Sequence, residues 1–390
     1  MTSSAMRHTL RAAAMSDAQT VAVLLRQAGG LKVRSAAGWR WLFEDNPMHR
    51  RQDPPPEMGW VLERGGELYG YLGNIHLDYV FDGRALRAAT CTSYYVREEA
   101  RSESTRLMTA FFRQPRVELF MSTTANAASE PIYRLFKAEV PKDASFSRGY
   151  VWVADDRRVI EDVLARAPIP HAVTHGLAAL AAPVSRLARS ASGFAAGPRE
   201  RAAAHAPLAF APAELDERFD RFCETLAAAP GLRVRRNAAA LRWYLSDPDA
   251  GGVPRVFAIP DERGELIGYA ATALHRPAET AAAQLRILDL VVRPGDENAV
   301  APLLEAVLAY ARETGAGLVY CPPGGAALAA QLEKSRPYTH VHVHASHFVR
   351  AAKRGDTDAF IAPSVWQATG LDGDTPFCIE HEPTAPRRTR

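Results

Sequence analysis

Arg-Trp-Leu-Phe-Glu-Asp-Asn-Pro, residues 40–47, returns later in the chain as Arg-Trp-Tyr-Leu-Ser-Asp-Pro, residues 242–248. A second segment follows each copy and reads Gly-Glu-Leu-Tyr-Gly-Tyr at 66–71 and Gly-Glu-Leu-Ile-Gly-Tyr at 264–269. A repeat with this spacing is too long for a solenoid unit and is typical of a duplicated globular domain. The sequence therefore predicts two copies of one fold, and each copy has to be considered separately for function.

Length and composition agree with this prediction and exclude several classes of protein. The 390 residues leave room for two or three hydrophobic cores, and 47% hydrophobic with 23% charged residues is typical of a soluble globular protein. The formal net charge is only +3, which is too weak to indicate a nucleic-acid-binding protein. We therefore expect no nucleic-acid partner.

The cysteine and histidine patterns predict neither disulfides nor a metal site. The four cysteines show no short-range pairing and no C-x-x-C spacing of the kind that holds zinc, so we expect reduced thiols and a cytoplasmic protein. His340, His342 and His344 alternate on a predicted strand, where neighbours two positions apart lie roughly 6 to 7 Å apart. Two of them would bind a metal only with ligands from elsewhere, so we expect no metal. No stretch of 18 apolar residues or signal peptide is present, which predicts no integral membrane segment.

The first copy carries a regular succession of predicted elements. Apolar periodicity and turn residues predict a strand at 9–14, two helices ending near Phe43, a meander over 59–96, a helix at 105–113, a strand at 117–122 and a helix at 130–136. The predicted order is β-α-α-β-β-β-α-β-α. The second copy repeats the same succession from 208 onward.

In this order of elements, and in residues 10–18, 66–71 and 96–108 together with Asn126 and Tyr133, the chain resembles the GNAT acyltransferase superfamily. The resemblance covers most of both halves. It implies an α/β (α+β) fold of two tandem GNAT-like domains, each with a mixed, mostly antiparallel sheet flanked by helices. It also implies transfer of an acetyl or other acyl group from acyl-CoA, the co-substrate, to an amine or, less often, a hydroxyl.

The resemblance places CoA binding at Val96 and at the loop after the fourth strand, where backbone N–H groups at a helix N-terminus cradle the pyrophosphate. The loop reads Arg101-Ser102-Glu103-Ser104-Thr105-Arg106, with serine and arginine where the family has glycines. The hydroxyls of Ser102, Ser104 and Thr105 can donate to phosphate, and Arg101 and Arg106 can pair with it, whereas Glu103 opposes it. The alternative is a plain capped helix start with a solvated face.

The resemblance gives Asn126 a contact with the pantetheine arm of CoA and makes Tyr133 the acid that protonates the departing thiolate. Proton donation offsets the charge that develops on sulfur, so a phenol suits this position. The alternatives are a helix cap for Asn126 and helix packing for Tyr133. Lys137-Ala138 departs from the family's Tyr-x-x-x-Gly-Phe pattern.

A general base and an acceptor site are predicted from carboxylates. Glu98 and Glu99, on the loop, are candidates for the base, and Asp78 on the meander is a candidate for the base or for acceptor binding; the alternative for each is a surface charge. Asp372 and Asp374 lie in an acidic turn that lacks the spacing of a calcium loop. They are predicted to hydrogen-bond an amine or a polyhydroxylated substrate.

The predicted domains are 1–154, which is the candidate catalytic copy, a helical linker at 155–206 rich in alanine, arginine and proline, and 207–390. The linker is predicted to hold a helix packed across the domains; the alternative for 171–189 is a helix at a membrane surface. The second copy has lost the chemistry by this interpretation. Its loop at 293–299 carries two acids, and Leu332 falls where Tyr133 would be.

The acceptor predicted for the first copy is a small molecule or a sugar, bound in a cleft that the second copy shapes. Tandem proteins that resemble this one suggest envelope or exopolysaccharide sugars. Two alternatives stay open: a non-catalytic tandem binding or scaffold protein, favoured by the missing glycines, and an aminoacyl transferase of the cell-wall type, which the near-neutral charge disfavours.

Overall fold

The computed structural model describes residues 7–28, 31–165, 171–192, 206–250, 252–275, 283–342, 346–353 and 355–378. His344 of the histidine run lies outside these residues.

The two halves of the chain fold into matching series of elements. The first half contains β1 (Thr9–Ala12), α1 (Ala18–Ala28), α2 (Ala36–Phe43), α3 (Pro47–Arg50), β2 (Gly59–Arg64), β3 (Glu67–Phe81), β4 (Arg84–Val96), α4 (Ser104–Phe112), β5 (Leu119–Ser122), α5 (Glu130–Leu135), β6 (Arg148–Val153), α6 (Asp156–Ala165) and α7 (His171–Ser192). The second half contains β7 (Leu208–Phe210), α8 (Glu217–Ala227), β8 (Leu232–Val234), α9 (Ala238–Tyr244), β9 (Arg255–Pro260), β10 (Leu266–His275), β11 (Gln284–Val292), α10 (Val300–Glu313), β12 (Leu318–Cys321), α11 (Ala326–Glu333), β13 (Tyr338–Val341), β14 (Phe348–Ala351) and α12 (Thr357–Ile361).

The described strands form two sheets of seven. The first has the order β1-β2-β3-β4-β5-β14, with β8 added beside β3, and the second has the order β7-β9-β10-β11-β12-β6-β13. In each sheet one pair is parallel, β4 with β5 and β11 with β12, and the other pairings between these strands are antiparallel. The predicted fold class, two mixed and mostly antiparallel sheets flanked by helices, is confirmed.

Local sequence signals explain why the paired elements start and stop alike. Ser35 caps α2 by accepting the N–H of Gly38, and Asn237 caps α9 by accepting that of Ala240. The β3–β4 hairpin turns at Asp82-Gly83, where both residues have positive φ, as a tight two-residue turn requires. The same short signals therefore occur at matching places in the two copies.

Each sheet receives a strand from the other half of the chain, which the sequence analysis did not predict. Strand β6, at the end of the predicted first domain, pairs with β12 and β13 in the second sheet. Two strands of the second half join the first sheet: β14 pairs with β5, with Phe348 opposite Ser122, and β8 pairs with β3. The two halves thus exchange equivalent strands, and the sheets are joined by backbone hydrogen bonds across the predicted boundaries at 154 and 206.

The repeated Arg-Trp segments, which reveal the duplication in the sequence, touch each other in the fold. The rings of Trp41 and Trp243 stack with their centroids 5.2 Å apart. The indole Nε1–H of Trp41 donates to the carbonyl of Trp243, and that of Trp243 donates to the carbonyl of Trp41, each at 2.8 Å. Such reciprocal contacts are those of a two-fold interface, here between two copies within one chain.

The linker carries helices α6 and α7, which pack on each other. Helix α7 buries the small side chains Thr174, Ala178 and Ala182. Four large apolar side chains of this helix are exposed: Leu177, Leu180, Val184 and Leu187. Among the described residues, no helix has the length and hydropathy needed to span a membrane.

Candidate functional site

The two parallel strands of the first sheet separate after three paired positions. Strand β4 pairs with β5 only over Ala88 to Thr90, although β4 itself continues to Val96 along β3. A register shift on β4, with Ser93 at a φ of 55°, turns its second half away from β5. The carboxyl ends of the two strands therefore diverge, and we call the place where they separate the first cleft.

Tyr133 reaches the base of this cleft from helix α5. It is 4% exposed, and its ring stacks on Phe348 of the exchanged strand β14 at a centroid distance of 5.1 Å. Its phenol oxygen lies 3.0 Å from the sulfur of Cys91, the first residue of β4 beyond its pairing with β5. The structure thus places Tyr133 at the cleft, with its hydroxyl beside a thiol.

Asp374 approaches the same cleft from the end of the described chain. It is 2% exposed, and its Oδ1 accepts the backbone N–H of Thr123 at 2.6 Å and the Thr123 hydroxyl at 3.1 Å. Its Oδ2 accepts a hydrogen bond from the hydroxyl of Thr124. Thr123 and Thr124 directly follow β5, so residues some 250 positions apart in the sequence meet at one strand end.

Asp372 anchors the segment that carries Asp374 and does not face the cleft. It is fully buried, and it accepts hydrogen bonds from the hydroxyl of Tyr79 at 2.8 Å and from Nε1 of Trp366 at 3.0 Å. Nη2 of Arg236 pairs with its Oδ2 at 2.7 Å, and Nε of Arg236 lies 2.9 Å from Asp289 of β11. This buried network joins the first sheet, the second sheet and the C-terminal segment.

Burial dominates the electrostatics of the cleft. It raises the pKa of Tyr133 well above its ordinary value, with the neighbouring Cys91 and Asp374 adding to the shift, and it raises the pKa of the Cys91 thiol. Burial also raises the pKa of Asp374, against the opposing effect of the hydrogen bonds from Thr123 and Thr124. The pKa of Cys378 rises to about 11, again through burial first. Tyr133 and both thiols are therefore protonated at neutral pH, and the Asp374 carboxylate binds a proton more readily than an exposed aspartate.

The loop predicted to hold phosphate is a 3-10 helix, Glu98–Glu103, that leads into α4. Arg106 is already paired, to Glu103 and to the carbonyl of His8, and Glu103 also accepts from Nδ1 of His8 at 2.7 Å. Arg101, Ser102 and Thr105 are exposed, and Ser104 is partly so. Arg101 and the hydroxyls of these residues therefore remain accessible to an anion, whereas Arg106 would first have to leave Glu103.

Four further predicted residues lie elsewhere or already have partners. Glu98 and Glu99 are exposed at the start of the 3-10 helix, and within the described residues no hydrogen bond joins either to Tyr133. Asp78 pairs with Arg51 on the face of β3. Asn126 is exposed, and its Oδ1 accepts the N–H groups of Ala128 and Ser129 at 3.0 and 3.1 Å. The side chain of Asn126 thus orders the turn before α5, although the residue at the cap position of that helix is Ser129.

The second sheet contains the equivalent cleft with different contents. Strand β11 pairs with β12 only over Gln284 to Arg286 and then separates from it. Ile287 and Leu332 occupy the places that Cys91 and Tyr133 have in the first copy, and both belong to one apolar cluster. In the loop before α10, Glu297 accepts the N–H of Gly295 at 2.9 Å.

The sequence analysis missed the participation of Cys378, Arg236 and Asp289. Cys378 lies 3.4 Å from the hydroxyl of Thr92 at the rim of the first cleft. No local spacing signalled these residues, because each contacts partners far away in the sequence. The described residues hold no group of three or more histidines, cysteines, aspartates and glutamates that could bind a metal ion.

Comparison with solved structures identifies this architecture. A GCN5-related N-acetyltransferase from Anabaena variabilis superimposes with a TM-score of 0.55 at 13% identity, over 89% of this chain and 73% of that one. The chain has the GCN5-related N-acetyltransferase fold. This GNAT fold recurs in a probable N-acyltransferase from Enterococcus faecalis, with a TM-score of 0.54 at 11% identity over 88% of this chain and 73% of that chain.

The GNAT fold also occurs in Eis1 from Mycobacterium abscessus, which is similar with a TM-score of 0.51 at 15% identity over 88% of this chain and 74% of that one. Neither a protein-family model nor a curated protein matches the sequence. The similarity therefore lies in the fold, which the sequence resemblance had predicted.

Proposed function

We propose that the chain is an acyl-CoA-dependent N-acyltransferase whose chemistry takes place in the first copy, at the cleft between β4 and β5. The observation that supports this most strongly is the convergence of Tyr133 and Asp374 on that cleft. The second cleft has Leu332 and Ile287 at the places of Tyr133 and Cys91, and these side chains can neither donate nor accept a proton. The GNAT fold of the solved neighbours supports the same reaction class.

Acyl transfer at this cleft needs a group that takes a proton from the acceptor and one that gives a proton to the leaving thiolate. The acceptor nitrogen attacks the thioester carbonyl carbon, so that an N–C bond forms and the C–S bond breaks. We assign the amine proton to the carboxylate of Asp374 and the proton for sulfur to the hydroxyl of Tyr133. One proton exchanged through solvent then restores both groups, and the net products are the amide and free CoA.

Asp374 is a better candidate for the base than Glu98 or Glu99, because it binds the end of β5 and lies near enough to Tyr133 for its charge to raise the pKa of the phenol. Its raised pKa brings it closer to the proton affinity that suits a general base. Val96, Arg101, Ser102, Ser104 and Thr105 line the path proposed for acetyl-CoA or another acyl-CoA. Asp78 pairs with Arg51 on β3 and Asp372 holds the buried anchor with Arg236. Among the acids proposed to meet the acceptor, which is a small-molecule amine or a sugar, we therefore retain Asp374, which lies at the end of β5.

Calorimetric titration of acetyl-CoA tests the proposal. The wild type should bind, the double variant Arg101→Glu, Ser104→Glu should lose affinity through repulsion of phosphate, and Arg263→Glu, in an exposed turn of the second copy, should bind as the wild type does. Absence of any heat with the wild type would overturn the enzyme proposal and favour the non-catalytic binding protein. That alternative has an observation of its own, since Glu103 and His8 already engage Arg106 at the predicted phosphate loop.

Turnover tests the two roles once an acceptor amine has been found by screening. Tyr133→Phe should lower kcat about 100-fold while leaving the Kd for acetyl-CoA unchanged. If Asp374 is the base, kcat/KM should rise with pH as its carboxyl loses a proton. Asp374→Asn should remove this rise, the acidic limb of the pH profile. Unchanged turnover in Tyr133→Phe, or an unchanged limb in Asp374→Asn, would remove the residue concerned from its assigned role.

A further inference from the structure

The cleft of the second copy contains a cavity of ≈ 300 Å³. It lies between the free end of β11, the start of α10 and helix α11, and it is closed on the far side by the end of α8 and by residues 367–369. Neither Ile287 nor Leu332 lines it. Its wall includes Val292 and Val300, which correspond to Val96 and to Ser104 at the start of α4, so it lies on the side of the second cleft that matches the predicted phosphate loop of the first copy.

Most of the cavity wall is apolar. Strand β11 contributes Leu290, Val291 and Val292, helix α10 contributes Val300, and helix α11 contributes Leu328. A space of this volume lies at the lower end of the range of small-molecule pockets, roughly 300 to 1,000 Å³. An apolar wall of this kind favours an aliphatic or aromatic body.

One buried cation, Arg233 on β8, lines the cavity. Its side chain is 7% exposed, and its two Nη atoms donate to the carbonyls of Leu226 and Pro230 at the end of α8. Its Nε has no hydrogen-bond partner, and within the described part of the chain it forms no ion pair, although Asp82 lies near enough for its charge to act on it. Its neighbour Arg236 differs, since it pairs with both Asp289 and Asp372.

The mouth of the cavity disfavours a highly charged ligand. Glu297 lines it, and the carboxylate of Glu297 already accepts a hydrogen bond from the N–H of Gly295. Arg293, which a pyrophosphate would need, pairs with Asp296 at 2.5 Å and with Asp261 at 3.6 Å. A single negative charge reaching the buried guanidinium is compatible with this arrangement, whereas the phosphates of a nucleotide are not.

We propose that the cleft of the second copy is a binding site for a medium-chain aliphatic carboxylate, a fatty acid, whose carboxylate pairs with Arg233 and whose chain packs on β11 and α11. A buried guanidinium without a carboxylate partner gains a charge-assisted hydrogen bond on binding. Burial of the chain against β11, α10 and α11 provides the rest of the affinity. The site is independent of the acyl transfer proposed for the first copy.

Titration of the full chain with octanoate and decanoate tests the proposal. Each CH₂ added to the chain should tighten the Kd about fourfold until the cavity is full. Decanol, which has the same length but no charge, should bind at least tenfold more weakly than decanoate. Wild-type protein that shows no heat with millimolar decanoate would overturn the proposal.

Two variants of helix α11 separate the cavity from the protein surface. Ala327 lines the cavity and is exposed, so Ala327→Phe should fill it without disturbing the core and should weaken decanoate binding at least tenfold. Ala330 is exposed on the same helix and does not line the cavity, so Ala330→Phe should bind as the wild type does. Equal decanoate affinity in the two variants would overturn the site.

Arg233→Met tests the charge. It should abolish the preference for decanoate over decanol, and circular dichroism must show that the variant is folded, because Arg233 also caps α8. If that variant fails to fold, Ala327→Phe still decides the question. The acetyl-CoA titration separates the two proposals. If Ala327→Phe loses affinity for acetyl-CoA while Arg101→Glu, Ser104→Glu keeps it, the second cleft is the CoA site and both proposals are wrong. If only the decanoate titration or only the acetyl-CoA titration fails, the other proposal stands.

Discussion

The two clefts lie at the same place in the backbone of each copy but contain different side chains. Each arises where a parallel strand pair ends after three paired positions, β4 with β5 and β11 with β12. In the first, Tyr133, Cys91 and Asp374 bring hydroxyl, thiol and carboxylate groups together. In the second, Leu332 and Ile287 stand at the equivalent places, and a cavity lies nearby between β11, α10 and α11. Duplication has preserved the geometry of the strands, and the side chains decide what each cleft can do.

The C-terminal segment, residues 367–378, makes different contacts with the two clefts. Residues 367–369 close the cavity of the second cleft, and a few residues later Asp374 enters the first. One segment therefore contacts both clefts, and it is held between them by Asp372 and the buried Arg236. A change in this anchor should affect both sites at once, whereas a change within either cleft should remain local.

The largest effect is expected from Asp372→Ala. It removes one partner of the buried Arg236 and leaves the donors of Tyr79 and Trp366 without their acceptor, so we expect the free energy of unfolding to fall by about 3 to 5 kcal/mol. Urea denaturation measures this. Asp358→Ala is the control, because its ion pair with Lys142 is exposed, and it should change stability by less than about 0.5 kcal/mol. A loss of similar size in the two variants would refute the role of Asp372 as an anchor.

A smaller effect is expected when the second cleft is given the tyrosine of the first. Leu332 is 1% exposed, so Leu332→Tyr places a hydroxyl among apolar neighbours and overfills the site, at a cost of about 1 to 3 kcal/mol in unfolding free energy. It should add no acyltransferase activity to a Tyr133→Phe background. Leu332→Met, which conserves volume, should cost less. Activity restored by Leu332→Tyr would show that the second cleft has kept its chemistry and would refute the comparison.

The sequence predicted the elements better than the contacts between them. The second helix, which ends at Phe43, and the turn at Asp82-Gly83 within the meander follow from local signals, namely the Asn46-Pro47 pair that ends the helix and a turn-forming dipeptide. The exchange of β6 and β14 could not be predicted, because the residues of a strand have the same pattern whichever sheet they join. The contact of Asp374 with Thr123 could not be predicted either, because 251 positions separate the two residues and no local pattern links them. The sequence shows the acidic turn that carries Asp372 and Asp374, but only the tertiary fold places it beside β5.

The smallest effect concerns the turn that follows the splayed strand in each copy. In the first copy Asn126 accepts the N–H groups of Ala128 and Ser129; in the second the same place is Gly325, where a side chain would collide with the carbonyl of Trp366. Asn126→Ala should therefore reduce the free energy of unfolding by about 1 kcal/mol, and Asn126→Asp, which keeps the acceptor, should reduce it less. Thermal unfolding of the two variants checks this, together with their KM for acetyl-CoA. If Asn126→Ala leaves stability unchanged and raises KM, the amide contacts the cofactor, as the family resemblance implies, and the first cleft extends further along α5 than its hydrogen bonds indicate.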